Sequence, residues 1–87
     1  MNAIIVDYDP FAMESRVNVI KEGKHEQLGV ASSIENLAND LVALTYQYNI
    51  YSVKVNAPLA TTNEIKRQVN ALESTTYSAN KIQVEVM

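Results

Sequence analysis

Acidic residues are concentrated near the start of the sequence, where Asp7, Asp9 and Glu14 form the densest acidic cluster. Carboxylate oxygens are the ligands that Mg²⁺ and Ca²⁺ prefer, so this cluster is a candidate site for a divalent cation. Aspartates at strand ends also accept hydrogen bonds from the backbone of a turn, and Pro10 directly follows Asp9. We therefore expect strand-end and turn carboxylates here, with Asp7, Asp9 and Glu35 as the alternative metal ligands.

Other residue types that could perform chemistry are scarce. The chain has a single histidine, His25, no cysteine and two glycines. A histidine-based metal site, a catalytic triad, a disulfide and a thiolate site are therefore excluded. Glycine is also too rare for a loop that cradles a phosphate or a nucleotide. We expect no cofactor and no catalytic residue, and we place His25 in a solvated hairpin turn.

The composition predicts one small domain that spans residues 1–87. The net charge is −3, and the seven lysines and arginines are spread thinly, which argues against nucleic acid as a partner. No apolar run approaches the ~18 residues that cross a bilayer, so we expect no membrane anchor and no signal peptide. The absence of cysteine fits a reducing compartment, and we expect a cytoplasmic protein. Such a small chain would suit an accessory protein encoded by a virus.

The first part of the chain has the pattern of strands. The apolar run at residues 3–6 predicts a buried strand that closes at Asp7, and the proline at position 10 predicts a turn. Two alternating segments, residues 16–19 and 27–30, flank a polar stretch that contains a glycine. This arrangement predicts a β-hairpin.

A first helix and a strand follow the hairpin. Ser32 and Glu35 have the spacing of a capping box, and apolar residues then recur every three or four positions. Asn49 is predicted to end this helix in the left-handed conformation. Residues 51–55 alternate between apolar and polar side chains, which predicts the fourth strand.

A second helix and a last strand complete the chain. Thr61 and Glu64 form a second capping box, and the helix that they open loses its apolar pattern at residues 74–76. Residues 81–86 alternate again and predict the fifth strand.

The resulting order, β-β-β-α-β-α-β, restricts the architecture. Right-handed crossovers place both helices on one face of a mixed five-stranded sheet if the strand order is 3-2-1-4-5. The predicted fold class is therefore α/β, with the other face of the sheet open, polar and available to a partner. That open face would carry these polar side chains: Arg16, Asn18, Ser52, Lys54, Asn56, Lys81, Gln83 and Glu85.

This order resembles the ribonuclease H-like fold, which is shared by ribonuclease H, the RuvC-type junction resolvases and actin-type ATPase domains. The matching residues are the first strand with its terminal acid at 4–7, the hairpin at 16–30 and the opening of the first helix. In nucleases of this family, carboxylates on the first strand, first helix and fourth strand hold two Mg²⁺ ions for attack on a phosphodiester. The resemblance implies Asp7 and Glu35 as ligands. Asn56 stands where the fourth-strand carboxylate belongs, so the resemblance implies a degenerate member.

The start of the chain also resembles a response-regulator receiver domain. That resemblance implies a helix at residues 11–23 and a third strand that ends at residues 56–58. The phosphoacceptor aspartate would then fall on Lys54, which cannot form an acyl phosphate. The alternating β-branched residues at 16–19 also make a poor helix, so we rank this resemblance second. It implies no phosphotransfer.

Together these patterns favour a non-catalytic protein-interaction or assembly module. It would act through the open face or an edge strand, in a homo-oligomer or against a larger protein. Tyr46, Tyr48 and Tyr51 either pack on the core with solvated hydroxyls or contact a partner. The alternatives are a metal-dependent nuclease that uses Asp7 and Glu35, and a binder of single-stranded nucleic acid through the open face.

Overall fold

A computed structural model describes residues 2–87. Within this range the chain forms five strands in one mixed sheet and two helices, in the predicted order β-β-β-α-β-α-β. The elements are β1 (Ala3–Asp9), β2 (Glu14–Lys21), β3 (Lys24–Ala31), α1 (Ile34–Tyr48), β4 (Ser52–Asn56), α2 (Leu59–Tyr77) and β5 (Gln83–Val86). The strand order β3-β2-β1-β4-β5 confirms the predicted topology.

The amino-terminal part of the chain forms an antiparallel meander of β1, β2 and β3. Glu22 and Gly23 connect β2 to β3 with positive φ angles of 53° and 81°. A two-residue hairpin turn requires this backbone conformation, which glycine adopts without strain. His25 is exposed in β3, next to this turn rather than within it. The hairpin interpretation of residues 11–23 is therefore confirmed over a helix.

The helices pack on one face of the sheet because both parallel connections cross over in the same direction. Side chains at alternate strand positions, such as Val6, Val53 and Val84, are buried in one cluster with Leu41 of α1 and Ile65 of α2. Successive side chains of a strand point to opposite faces, so the residues between these positions point away from the helices. No helix of the described chain covers that second face, as predicted.

The start of α1 differs by one residue from the predicted capping box. Ser33 is the N-cap, and its Oγ accepts a hydrogen bond from the backbone N–H of Asn36 at 3.1 Å. The Ser32 hydroxyl instead lies 3.4 Å from the Asn36 side-chain amide. The prediction that Ser32 and Glu35 form the box is therefore wrong, because Ser33 has the extended backbone of the cap.

We expect the two serines to differ in their effect on stability. Ser33→Ala removes the acceptor of the Asn36 N–H in the first turn of α1 and should lower the free energy of unfolding by about 1 kcal/mol. Ser32→Ala should change it by less than about 0.5 kcal/mol. Urea denaturation followed by circular dichroism measures both values. A larger loss from Ser32→Ala would contradict the observed cap.

The start of α2 also differs from its prediction. The helix begins after Pro58. The Pro58 carbonyl accepts hydrogen bonds from the backbone N–H of Thr62 at 3.0 Å and from the Thr62 hydroxyl at 3.1 Å. Thr61 lies inside the helix, and the Glu64 carboxylate bonds forward to Arg67. The predicted Thr61–Glu64 capping box is therefore wrong. Pro58 occupies the N-cap position and has no side-chain acceptor, so the first turn of α2 has no side-chain cap.

The helices end on residues in the left-handed conformation. Asn49, with φ 60°, ends α1 as predicted, and Ser78, with φ 53°, ends α2. α2 continues through residues 74–76, where the pattern predicted that it would fade. β5 begins at Gln83, two residues after its predicted start. Neither helix in the described part of the chain is long and apolar enough to cross a membrane.

Candidate interaction surface

The carboxylates of the predicted metal site lie on different faces of the sheet. Asp7 is exposed on the open face, where its Oδ1 accepts a hydrogen bond from Asn56 Nδ2 at 3.2 Å. Glu35 lies in the first turn of α1, beside Tyr8 on the helix face. Among residues 2–87, no group of three or more His, Cys, Asp and Glu side chains is placed to hold a metal ion. The structure therefore does not bring the two nuclease candidates together.

The centre of the open face contains a closed ion pair. One row of side chains crosses the sheet there and contains Asn18, Ile5, Lys54 and Glu85. Lys54 Nζ lies 2.6 Å from Glu85 Oε2, and this hydrogen bond holds the pKa of Glu85 below its usual value. The pairing neutralises the cation on which a nucleic-acid binder would depend.

The open face is less polar than the sequence predicted. Ala3 and Ile5 of the central strand point away from the helices, yet they are 0% and 9% exposed and lie outside the main core cluster. Ile20, which pairs with Ala3, is partly buried beside them. Neighbouring side chains on β2 and β4 screen this apolar centre from water, because β1 is flanked by a strand on each side.

The predicted cations of the open face do not form a continuous stripe. Arg16 stands opposite Asp7 in the strand register without forming an ion pair with it, and Lys54 is bound to Glu85. Lys81 precedes β5, and its Nζ lies 5.8 Å from the ring centroid of Tyr51. Nucleic-acid binding requires unpaired cations that follow a phosphate backbone. The geometry therefore does not favour a nucleic-acid binder.

The loop between β1 and β2 holds a large aromatic side chain in solvent. Asp9 Oδ1 accepts hydrogen bonds from the backbone N–H groups of Phe11 at 2.9 Å and Ala12 at 3.3 Å. Met13 completes the loop with a left-handed φ of 53°. The Phe11 side chain is 98% exposed, and that of Met13 is 66% exposed. Burying a phenylalanine stabilises a protein by about 1.5–3 kcal/mol, so this loop leaves a substantial contact energy unused in the isolated chain.

Several exposed apolar side chains lie at the same end of the sheet as this loop. β1, β4 and β5 run parallel, so their carboxyl ends lie at the same end of the sheet, across a width of about 10 Å. Leu59 begins α2 just after β4 and is 63% exposed, and Val30 pairs with Arg16 beside the loop. We call this group the apolar end, and its members are Phe11, Met13, Val30, Leu59, Val86 and Met87. Exposed apolar clusters on soluble proteins mark surfaces that bind other proteins.

A buried carboxylate lies at the opposite end of the helix layer. Glu73 of α2 is fully buried, and its carboxylate accepts hydrogen bonds from the Tyr46 hydroxyl at 2.6 Å and from the backbone N–H of Lys81 at 2.9 Å. The N–H of Ile82 donates to the same carboxylate at 3.2 Å. These bonds satisfy the acid and fasten the segment before β5 onto α2. Sequence analysis did not identify Glu73 as a structural residue.

Aromatic rings cover this carboxylate. The ring of Tyr46 stacks on that of Tyr77 with centroids 3.7 Å apart, and meets that of Tyr51 edge-on at 5.1 Å. Tyr48 packs against the core with Tyr46 and Tyr51. The rings therefore join the carboxyl ends of α1 and α2.

We expect the stability of the protein to fall at alkaline pH because of Tyr46. Its hydrogen bond to Glu73, together with partial burial and the charge of that acid, raises the pKa of Tyr46 to about 12. In the unfolded chain a tyrosine ionises near pH ~10, so between these values only the unfolded state releases the proton and stability declines. The stabilisation is complete below pH ~10 and is lost as the pH rises to about 12.

Thermal denaturation of the wild type and Tyr46→Phe across this pH range measures the effect. The difference between their midpoints should shrink as the pH rises, because the variant lacks the hydroxyl. A difference that is independent of pH would contradict the assignment. Absorbance titration of the folded wild type should show one tyrosine that ionises later than the others.

Comparison with known proteins adds no relative. The sequence matches no family model, and no curated protein is similar to it. The resemblances to the ribonuclease H-like and receiver folds therefore remain predictions, and function is argued from the geometry of the chain.

Proposed function

We propose that this protein is a non-catalytic interaction module that binds a partner protein through the apolar end. The observation that carries the proposal is Phe11, an aromatic residue that is 98% exposed on a hydrogen-bonded loop. Residues that dominate the energy of protein interfaces are enriched in aromatic side chains, and truncation of such a residue costs about 2 kcal/mol or more of binding energy.

Hydrogen bonds within the chain hold the loop, which supports its use as a binding element. The Asp9 carboxylate holds two successive N–H groups of the loop, and the paired strands fix both ends. Binding by a preordered loop loses less conformational entropy than binding by a flexible one. Met13 and Leu59, which are 66% and 63% exposed, add further apolar surface at this end of the sheet.

The edge strands are less suited to binding than the apolar end. β3 contains the charged residues Lys24 and Glu26, and its register with β2 shifts, both of which discourage strand pairing. β5 has four residues, and Glu73 already binds the backbone N–H groups of residues 81 and 82 that precede it. The charges and register shift of β3 and the short length of β5 therefore make these edges poor templates for another strand.

Site-specific photo-crosslinking tests the proposal directly. The photoreactive residue p-benzoylphenylalanine replaces Phe11 in the cells that make the protein, and irradiation traps any protein that contacts the loop. The matched control carries the same residue at Tyr77, which is 42% exposed at the opposite end of the molecule. We expect a discrete adduct from position 11 that is absent from position 77.

Two results would overturn the proposal. One is the absence of any adduct from position 11, and the other is the same set of adducts from both positions, which would indicate random collisions. Replacing Leu59 by serine in the position-11 protein should weaken the adduct, because Leu59 belongs to the same surface. A thermal melt confirms that each variant is folded.

A further inference from the structure

We infer that the partner of the apolar end is a protein whose contact surface is basic and contains an apolar pocket. This inference rests on the proposed function and assigns the chemistry of the partner. The distribution of charge around Phe11 favours a different protein as the partner over a second copy of this chain.

The net charge of the chain is concentrated around the apolar end. Asp7, Asp9, Glu14 and Arg16 line one cleft at the base of the Phe11 loop, and Glu35 lines the groove beside Met13. Four acids and one base give this end a charge of −3, which equals the formal net charge of the whole chain. The other six acids and six bases of the sequence cancel.

These acids are also free to act on a partner. Asp7 accepts one hydrogen bond from a neutral amide, Asp9 binds backbone N–H groups, and neither forms an ion pair in the described part of the chain. Glu64 also lines the groove beside Met13, but Arg67 neutralises it. An unneutralised acidic ring around an apolar centre matches a surface with the opposite charge around a pocket.

The same charge opposes self-association through this surface. A symmetric dimer places the same patch of both copies together, so two ends of charge −3 would face each other around the Phe11 contact. Like charges that are brought together at an interface cost several kcal/mol unless cations intervene. Arg16 is the one cation among the residues that line the cleft. A basic partner is attracted by the negative charge that would repel a second copy of this chain.

A tryptophan reporter tests this inference, because the chain contains no tryptophan. Phe11→Trp places a single fluorophore at the loop tip, and Tyr77→Trp places one at the opposite end as the matched control. The probes are three synthetic amphipathic helical peptides with the same leucine positions, whose polar positions are all lysine, all glutamine or all glutamate. Burial of the fluorophore shifts its emission to shorter wavelength.

We expect the lysine peptide to bind Phe11→Trp saturably, with an affinity about tenfold higher than that of the glutamine peptide. The glutamate peptide should not bind. The preference should shrink between about 50 mM and 500 mM sodium chloride, because salt screens exposed charges. The reporter protein that carries both Glu14→Gln and Glu35→Gln should bind the lysine peptide more weakly. Its affinity for the glutamine peptide should be unchanged.

Equal affinity for the three peptides would overturn the inference, as would failure of the lysine peptide to bind. Binding of the lysine peptide with the same spectral shift in Tyr77→Trp would also overturn it, because attraction would then not be confined to the apolar end. The crosslinking experiment separates this failure from failure of the proposed function. An acidic partner or a second copy trapped at position 11 would keep the interaction module and reject the basic partner.

Discussion

We expect Glu73→Leu to lower the free energy of unfolding by about 2–4 kcal/mol, because three donors lose their acceptor. The Tyr46 hydroxyl and the N–H of Lys81 can turn to water, but the N–H of Ile82 is buried. A domain of this length has about 4–13 kcal/mol of total stability, so the change consumes a large part of it. Urea denaturation followed by circular dichroism measures the loss.

Two further variants identify the cause of that loss. Glu73→Gln keeps one acceptor oxygen and should lose about half as much as Glu73→Leu, because hydrogen bonds to a charged acceptor are roughly twice as strong. Glu64→Leu makes the same chemical change at a half-exposed position of the same helix, where the carboxylate binds Arg67 and Gln68, and should lower the free energy of unfolding by less than about 1 kcal/mol. Equal effects of the leucine variants at 73 and 64 would show that the buried network does not stabilise the fold.

A second large effect is expected in the core between α1 and the sheet. Leu41 is fully buried near the middle of α1, in the cluster that contains Val6 and Val53. Leu41→Ala removes its contacts and leaves a cavity, which should cost about 2–5 kcal/mol of unfolding free energy. Thermal and urea denaturation should both show the loss.

Leu59→Ala provides the matched control for this variant. The substitution is identical, but Leu59 is 63% exposed and should change stability by less than about 0.5 kcal/mol. The same variant should weaken crosslinking from position 11. The variants of Leu41 and Leu59 would thus distinguish apolar surface that stabilises the fold from apolar surface that binds a partner. Similar stability losses at both positions would contradict the burial seen in the structure.

The topology was predictable from the sequence because each element carries its own periodicity. The alternation of residues 51–55 and 81–86 identified strands, and the apolar stripe after residue 33 identified α1. The handedness of crossovers then left one arrangement with the helices on a single face. None of these steps required a contact between distant residues.

The helix caps were predicted less well, for a local reason. Adjacent serines at 32 and 33 offer the same hydroxyl, and the backbone angles that choose between them are set by the path from β3 into α1. At α2, Pro58 occupies the N-cap position, and the spacing of Thr61 and Glu64 does not correspond to a side-chain cap. In both cases the capping-box motif predicted a helix correctly but placed the first turn of that helix wrongly.

The apolar end and the Glu73 site depend on distant contacts. Phe11 and Leu59 lie in separate turn and helix-start segments, and the parallel pairing of β1 with β4 places both segments at the same end of the sheet. Glu73 follows Ile65 and Val69 at helical spacing, so its place on the buried stripe was visible in the sequence. Its acceptor role was not, because its donors are the Tyr46 hydroxyl on α1 and main-chain groups eight and nine residues further on.

The pairing of β1 with β4 also imposes an order of assembly during synthesis. Asp7 and Asn56 are bonded neighbours in the sheet, although they are 49 positions apart in the chain. A nascent chain that emerges from the ribosome can close the β1–β2–β3 meander early, but its central strand keeps one vacant side until β4 has been translated. Until α1 has also emerged, the valines of the meander have no helix layer over them, and the growing polypeptide is then most exposed to aggregation and to capture by chaperones.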